Sequence, residues 1–265
     1  MRRICLLAML VAIGLAACGD NSPQDGESTG KLGLFDWKRD PQAIVVRLDS
    51  RPLEDDPAFL LNSIPPCTLW GDGRVVWSTV DQYGTEEILE GRASDAAIRA
   101  FLEDIIARGF YDWDDELVFS SETTPVLESI TVSLYDEVHT VRRYSYWPQN
   151  SFALILEKCQ QLSDTPVRVL PTAGWVSAYR VPRNSSAPTW LWPASAPFTL
   201  AELADSQEER WLEGPLATEV WLSVRERRGD VQVIERSGDA YKVAIVVPGY
   251  SRDALAPPPE SGADS

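Results

Sequence analysis

Four kinds of residue in this chain could do chemistry. Gly26-Glu27-Ser28-Thr29-Gly30 spells G-x-S-x-G, the frame of a hydrolase elbow in which a buried strand delivers the serine and a helix follows it. Ser28 lies instead in residues 19–30, a run of Gly, Asp, Asn, Ser, Pro and Glu without apolar periodicity. It reads as part of a flexible tether. His139 is the single imidazole and so the one side chain whose ordinary pKa suits a general base near neutrality. Its setting, between Glu137 and Thr140 in a hairpin pattern, favours a structural role. Asp112, Asp114, Asp115 and Glu116, in YDWDDELV, offer hard oxygens of the kind Ca²⁺ takes. The sixth place counted from Asp112 is Leu117 rather than the glycine a calcium loop needs, so the cluster reads as a solvated acidic turn. One histidine and two cysteines in the body of the chain, Cys67 and Cys159, are too few for a zinc site. Among 40 acidic residues no pair has a recognisable glycosidase spacing. A carboxylate-dependent hydrolase is therefore the weakest reading, with no catalytic residue and no cofactor assigned.

Tryptophan is the unusual component, with ten copies. Trp190 and Trp192, in APTWLWPASAP, sit among prolines in what reads as an exposed loop, and Trp147 follows a strand pattern in YWP. Indole faces bind sugars through CH–π contact and also dominate protein–protein hot spots. Trp147, Trp190 and Trp192 are thus candidate binding residues, for a glycan or a protein, with core packing as the alternative. Trp70, Trp77 and Trp221 fall in strand patterns and read as buried anchors.

The beginning of the sequence carries a different chemistry. Met1-Arg2-Arg3 is a positive start, residues 4–15 are an apolar run, and the small residues Ala16 and Ala17 follow, the three-part plan of a secretory signal. Twelve apolar residues are too few to span a bilayer, which takes about 20. Leu15-Ala16-Ala17-Cys18 resembles the lipobox of bacterial lipoprotein precursors. The resemblance implies cleavage before Cys18 and a diacylglyceryl thioether on its sulfur. Acyl chains such as palmitate, at about 0.8 kcal/mol per buried CH₂, would then hold the protein on a membrane. It also implies a cell-membrane or outer-membrane location facing out of the cytoplasm. Gly19, where an aspartate favours inner-membrane retention, tilts the expectation outward.

Formal net charge is −16, and loss of Arg2 and Arg3 with the leader makes the balance more acidic. Phosphate backbones would be repelled, so nucleic acid is an unlikely partner class by electrostatics. In an oxidising compartment Cys67 and Cys159 are a candidate disulfide; a buried free thiol at Cys159 is the alternative.

The elements that must position these residues follow from patterning. Residues 43–49 (AIVVRLD) read as a buried strand. Residues 67–70 and 74–79 flank Gly71-Asp72-Gly73, a hairpin signal, and residues 86–90 add a short strand. Ser94 caps a helix over residues 95–108, with Ile98, Phe101, Leu102, Ile105 and Ile106 on one face and Gly109 as the stop. Residues 129–135 and 138–146 form a second hairpin, and residues 151–162 a helix burying Phe152, Ile155, Leu156 and Cys159. The expected class is α+β, an antiparallel sheet with helices packed on one face. IPPCTLWGDGRVVW and the elements after it resemble an uncharacterised bacterial module over residues 43–165, one that pairs a Cys-Pro-rich strand with an Asp-Gly hairpin. That family carries no established activity.

Beyond Pro166, residues 175–181 read as a strand and residues 182–197 as a Pro/Ser/Trp-rich connector. Thr199 and Glu202 form a capping box for a short helix. Residues 217–226, 231–236 and 241–247 read as a meander turning at Gly229-Asp230 and Ser237-Gly238-Asp239. The expected organisation is a signal peptide (1–17), the lipidated Cys18 and tether (18–40), an α+β domain (41–165), a β-rich second half or subdomain (166–252) and a disordered tail (253–265). The function expected is that of a lipid-anchored extracytoplasmic protein that binds a partner or assists envelope assembly. A glycan-binding lipoprotein using Trp190 and Trp192 is the alternative.

Overall fold

In Cys67-Thr68-Leu69-Trp70 every side chain is buried. Successive side chains of a strand point to opposite faces, so both faces of this strand are covered, and the architecture follows from what covers each. The computed structural model of the protein describes residues 35–53, 56–118, 125–135, 137–144, 146–226 and 231–252. The leader, Cys18, Ser28, the Gly229-Asp230 turn and the tail from residue 253 lie outside the described residues.

The first sheet has seven strands: β1 (Ile44–Pro52), β2 (Cys67–Trp70), β3 (Arg74–Val80), β4 (Glu86–Arg92), β5 (Val126–Leu134), β6 (Glu137–Tyr144) and β7 (Val167–Arg168). Their order is β6-β5-β1-β2-β3-β4-β7, and every pairing is antiparallel. Both expected hairpins are present, with Cys67 opposite Trp77 in one and Val132 opposite His139 in the other. Gly73, at φ +84°, makes the β2–β3 turn in a backbone region that side-chain-bearing residues avoid.

Helices α2 (Asp95–Ala107) and α3 (Ser151–Gln160) lie on the same face of this sheet. Ser94 Oγ accepts the Ala97 N–H at 3.2 Å and caps α2. Ile98, Phe101, Leu102 and Ile105 are its buried stripe. Together with Phe152, Ile155 and Cys159 of α3 they pack on Cys67, Leu69, Val75 and Trp77. Cys67 and Cys159 are joined as a disulfide that ties β2 to α3. The α+β expectation, with helices on one face of an antiparallel sheet, holds.

The other face is covered by the rest of the chain. There β8 (Ala173–Val181), β9 (Thr189–Leu191), β10 (Arg210–Glu213), β11 (Gln232–Ile234) and β12 (Ala240–Val246) form a second sheet. Its order is β10-β8-β12-β11-β9, antiparallel except for the parallel pair β9–β11. Trp70, Val76 and Ile88 of the first sheet share a core with Val176, Val243 and Ile245 of the second and with Leu200, Leu203, Val220 and Trp221. A short helix, α1 (Pro57–Asn62), capped by Asp56, packs on β12 and β8 of the second sheet. The Asn62 side chain donates to Val243 O at 2.8 Å and accepts from Ile245 N at 2.9 Å. The described residues from Phe35 onward form one compact unit, and the stretch from Pro166 contributes both a strand to the first sheet and the cover of its second face.

Two expectations need correction. Residues 217–226 are not a strand: α5 (Pro215–Ser223) occupies this stretch. Gly214-Pro215 supplies a helix start, and Ala217, Val220, Trp221 and Val224 recur at helical spacing and are all buried. The β-branched and aromatic residues that suggested a strand are its core face. Residues 182–197 are not simply a connector either, since β9 lies within them. The capping box at Thr199 and Glu202 starts α4 (Leu200–Ser206) as expected.

Candidate functional site

The tryptophans nominated for binding do not form an open platform. Because Trp190 pairs with Val233 across β9–β11, strand alternation turns Trp190 and Trp192 inward and Leu191 out to solvent. Trp192 is buried against Phe198, with ring centroids 6.0 Å apart, and donates its Nε1–H to Phe198 O at 3.0 Å. Trp190 is half-buried, edge-on to Trp192 at 5.9 Å. Trp147 is buried between Trp113 and Phe152 and donates to Glu128 at 2.7 Å. Trp147 and Trp192 therefore present no free face to a sugar. The prolines around Trp190 suggested a loop because a three-residue parallel strand leaves no periodicity to read.

The acidic cluster is used internally. Asp115 receives the Arg142 guanidinium at 2.6 Å and its backbone N–H at 2.7 Å. The Arg142 hydrogen bond holds the Asp115 carboxyl below its ordinary range. Glu116 pairs with Arg143 at 2.8 Å. Among the described residues no group of three or more His, Cys, Asp or Glu side chains is placed to share a metal ion. His139 packs edge-on against Phe110 at 5.0 Å and beside Tyr111 at 5.2 Å, a packing role within the first sheet.

A recess lies where α1, β3, β4, β12 and the end of α5 meet, a groove of about 180 Å³. Its walls are largely apolar: Phe59 from α1, Val80 from β3, Val224 beyond α5 and Val243 from β12. Val80 is 42% exposed and marks the side open to solvent. Arg225 lines the same groove and is only 2% exposed. Its guanidinium lies 3.4 Å over the Trp221 ring, a favourable site for a weakly hydrated, delocalised cation. Nη1 donates to Trp221 O at 3.1 Å and Nη2 to Asn62 O at 3.2 Å. Among the described residues Nε, which is buried, has no hydrogen-bond acceptor, and the carboxylate of Glu86 stands 3.7 Å away. Burial pushes the Arg225 pKa down to about 10, with Glu86 offsetting only part of the effect. At neutral pH the group stays charged, so the groove, whose lining also includes Asp56, Glu86 and Lys242, ends at a buried cation.

A second polar cluster closes on itself. Tyr250 donates to Glu90 at 2.8 Å and is pushed up to about 12 by burial and then by that carboxylate. Arg74 stacks 3.8 Å from the Trp70 ring and donates to Gly249 O. These contacts fasten the chain after β12 to the first sheet.

Arg225 was not among the residues expected to matter. The signal was its place four residues after Trp221, just past the end of α5 and in line with its apolar face, and the strand reading of 217–226 hid it. Comparison of the chain with protein-family models, with curated proteins and with solved structures returns no match.

Proposed function

We propose that this chain is a lipid-anchored extracytoplasmic protein that works by binding, with the groove beside Arg225 as its binding site. The observation that carries the binding reading is the groove itself, with apolar walls converging on one buried, incompletely bonded cation. Few convergent polar groups in an apolar recess are the usual make-up of a ligand site. The Cys67–Cys159 disulfide supports an oxidising compartment, in line with the leader and with Cys18 as the lipid-bearing residue. The acidic balance of the chain argues for a partner other than nucleic acid.

Fractionation tests the anchor. The full chain, leader included, is expressed in a bacterial host, and the N-terminal peptide of the membrane fraction is analysed by mass spectrometry. The expected result is a peptide starting at Cys18 with a diacylglyceryl mass on its sulfur, and loss of membrane retention in Cys18→Ser. A soluble parent chain cleaved elsewhere would overturn the reading.

A further inference from the structure

We propose that the Arg225 groove takes a short aliphatic chain ending in a carboxylate, with the acid paired to the guanidinium and the tail along the apolar walls. This inference rests on the groove being the protein's binding site. Three features of the groove converge on that chemistry.

The first is the state of Arg225. A guanidinium carries five N–H donors in a planar fork. Among the described residues two hydrogen bonds to protein acceptors are made here, and Nε makes none. Glu86, at 3.7 Å, is too far to hydrogen-bond Nε. A carboxylate at the end of the groove would pair with the N–H groups of the fork that these two bonds leave over, a charge-assisted contact for which arginine is suited.

The second is that the other polar groups of the groove already have partners. Asn62 uses both ends of its amide on β12. Asp56 accepts the Ala58 and Phe59 N–H groups at the start of α1. Ser63 donates to Leu60 O at 2.7 Å and accepts from Arg252. A peptide entering the groove would bury amides with nothing to bond them, which is costly. An alkyl chain has no such groups.

The third is size. About 180 Å³ has room for about six groups at the ~30 Å³ that a water occupies in the liquid. That suits the inner part of an alkyl chain of about eight carbons, whose far end would lie at the open side by Val80, rather than a ring system with substituents.

The nearby acids sharpen the test. Glu86 is the carboxylate that an incoming acid must compete with for Arg225. Removing its charge while keeping its shape is therefore expected to strengthen binding.

The experiment is calorimetric titration of the full chain carrying Cys18→Ser, in detergent-free buffer at neutral pH, with octanoate, methyl octanoate and octylamine. Octanoate is expected to bind saturably, and methyl octanoate about tenfold more weakly or worse, as suits loss of a charge-assisted pair. Octylamine is expected not to bind. Arg225→Met, which keeps the packing stem over Trp221, should weaken octanoate by about tenfold or more. Glu86→Gln, at a half-exposed position that leaves Arg225 in place, should tighten it. Equal binding of the ester, preference for the amine, no binding at all, or weaker octanoate binding in Glu86→Gln would each overturn the proposal. Membrane fractionation is decided separately, so a retained anchor with an inert groove would remove this inference and leave the lipoprotein reading intact.

Discussion

Arg225 lies flat over Trp221, one helical turn away, at 3.4 Å from the ring centroid. The pair joins three parts of the chain. Trp221 fills the shared core, the Arg225 guanidinium reaches Asn62 O at the end of α1, and the Arg225 carbonyl accepts the Glu86 N–H of β4 at 3.1 Å. A cation beyond the last turn of α5 also faces the carbonyl end of that helix, where positive charge is favourable. The groove is thus framed by the same contacts that hold the second sheet's layer onto the first sheet.

The disulfide spans 92 residues, and a cross-link of that length removes much of the unfolded chain's freedom. The chain-entropy relation puts its contribution at about 4–5 kcal/mol. The double variant Cys67→Ala/Cys159→Ala is expected to unfold at a clearly lower urea midpoint and with a steeper slope, because the denatured chain without the cross-link is more expanded. An unchanged midpoint would mean that the α3–β2 packing alone holds this face together.

The elements of the first half were legible because each carries a local signature. The α2 stripe from Ile98 to Ile105 and the Gly-Asp-Gly turn before Arg74 need no tertiary context. The second half was less legible for a physical reason. Val220, Trp221 and Val224 are β-formers by type but sit on a helix because the core needs their bulk there; burial overrides propensity. The site suffered the same fate. Arg225 is one charge in the charged run 225–228, and only folding singles it out by burying it. Six of the ten tryptophans are buried and the other four half-buried, and by residue type alone an indole in a core looks the same as one on a surface.

Asp104 is expected to contribute stability that acid removes. Burial alone would raise its carboxyl, but hydrogen bonds from Arg108 and Lys158 outweigh that and hold it below the ordinary range. A lowered folded-state pKa means stability present above the unfolded value and lost as pH falls through the folded one. Asp104→Asn should therefore be less stable than the parent at pH 6–7, by about 1 kcal/mol or less given the half-exposed Lys158. The difference should shrink as pH drops below about 4. Urea midpoints across that range measure it, and a gap that widened in acid would contradict the assignment.

Glu128 should behave in the opposite sense. Burial raises its carboxyl, and the Trp147 N–H bond offsets only part of that rise. A raised pKa means the folded state is favoured while the group is protonated, and that contribution is lost as pH rises through the folded value. Glu128→Gln keeps an acceptor for Trp147 without the charge. The variant should match the parent below about pH 4 and become the more stable of the two toward neutrality. Thermal unfolding midpoints at pH 4 and pH 7 decide it; a variant less stable at pH 7 would show that the carboxylate charge is needed.

Arg252, 8% exposed, reaches back over about 200 residues of sequence to Asp49 of β1. Its Nε lies 2.9 Å from each Asp49 oxygen. Nη1 donates to Ser63 Oγ and Nη2 to Ser50 O at 3.1 Å. Breaking a buried pair on one side leaves the other charge uncompensated, which typically costs about 3–5 kcal/mol. Arg252→Met alone should therefore destabilise strongly, and a chain ending at Ser251 should fall as far. Adding Asp49→Asn to Arg252→Met removes a carboxylate left with the exposed Arg51, at 3.5 Å, as its ion-pair partner, so the double variant should be more stable than the sum of the two single losses implies. Urea unfolding of the four proteins in the cycle measures the coupling. Strict additivity would mean that Arg252 acts through packing alone, and that the end of the described chain is held by the Tyr250–Glu90 contact instead.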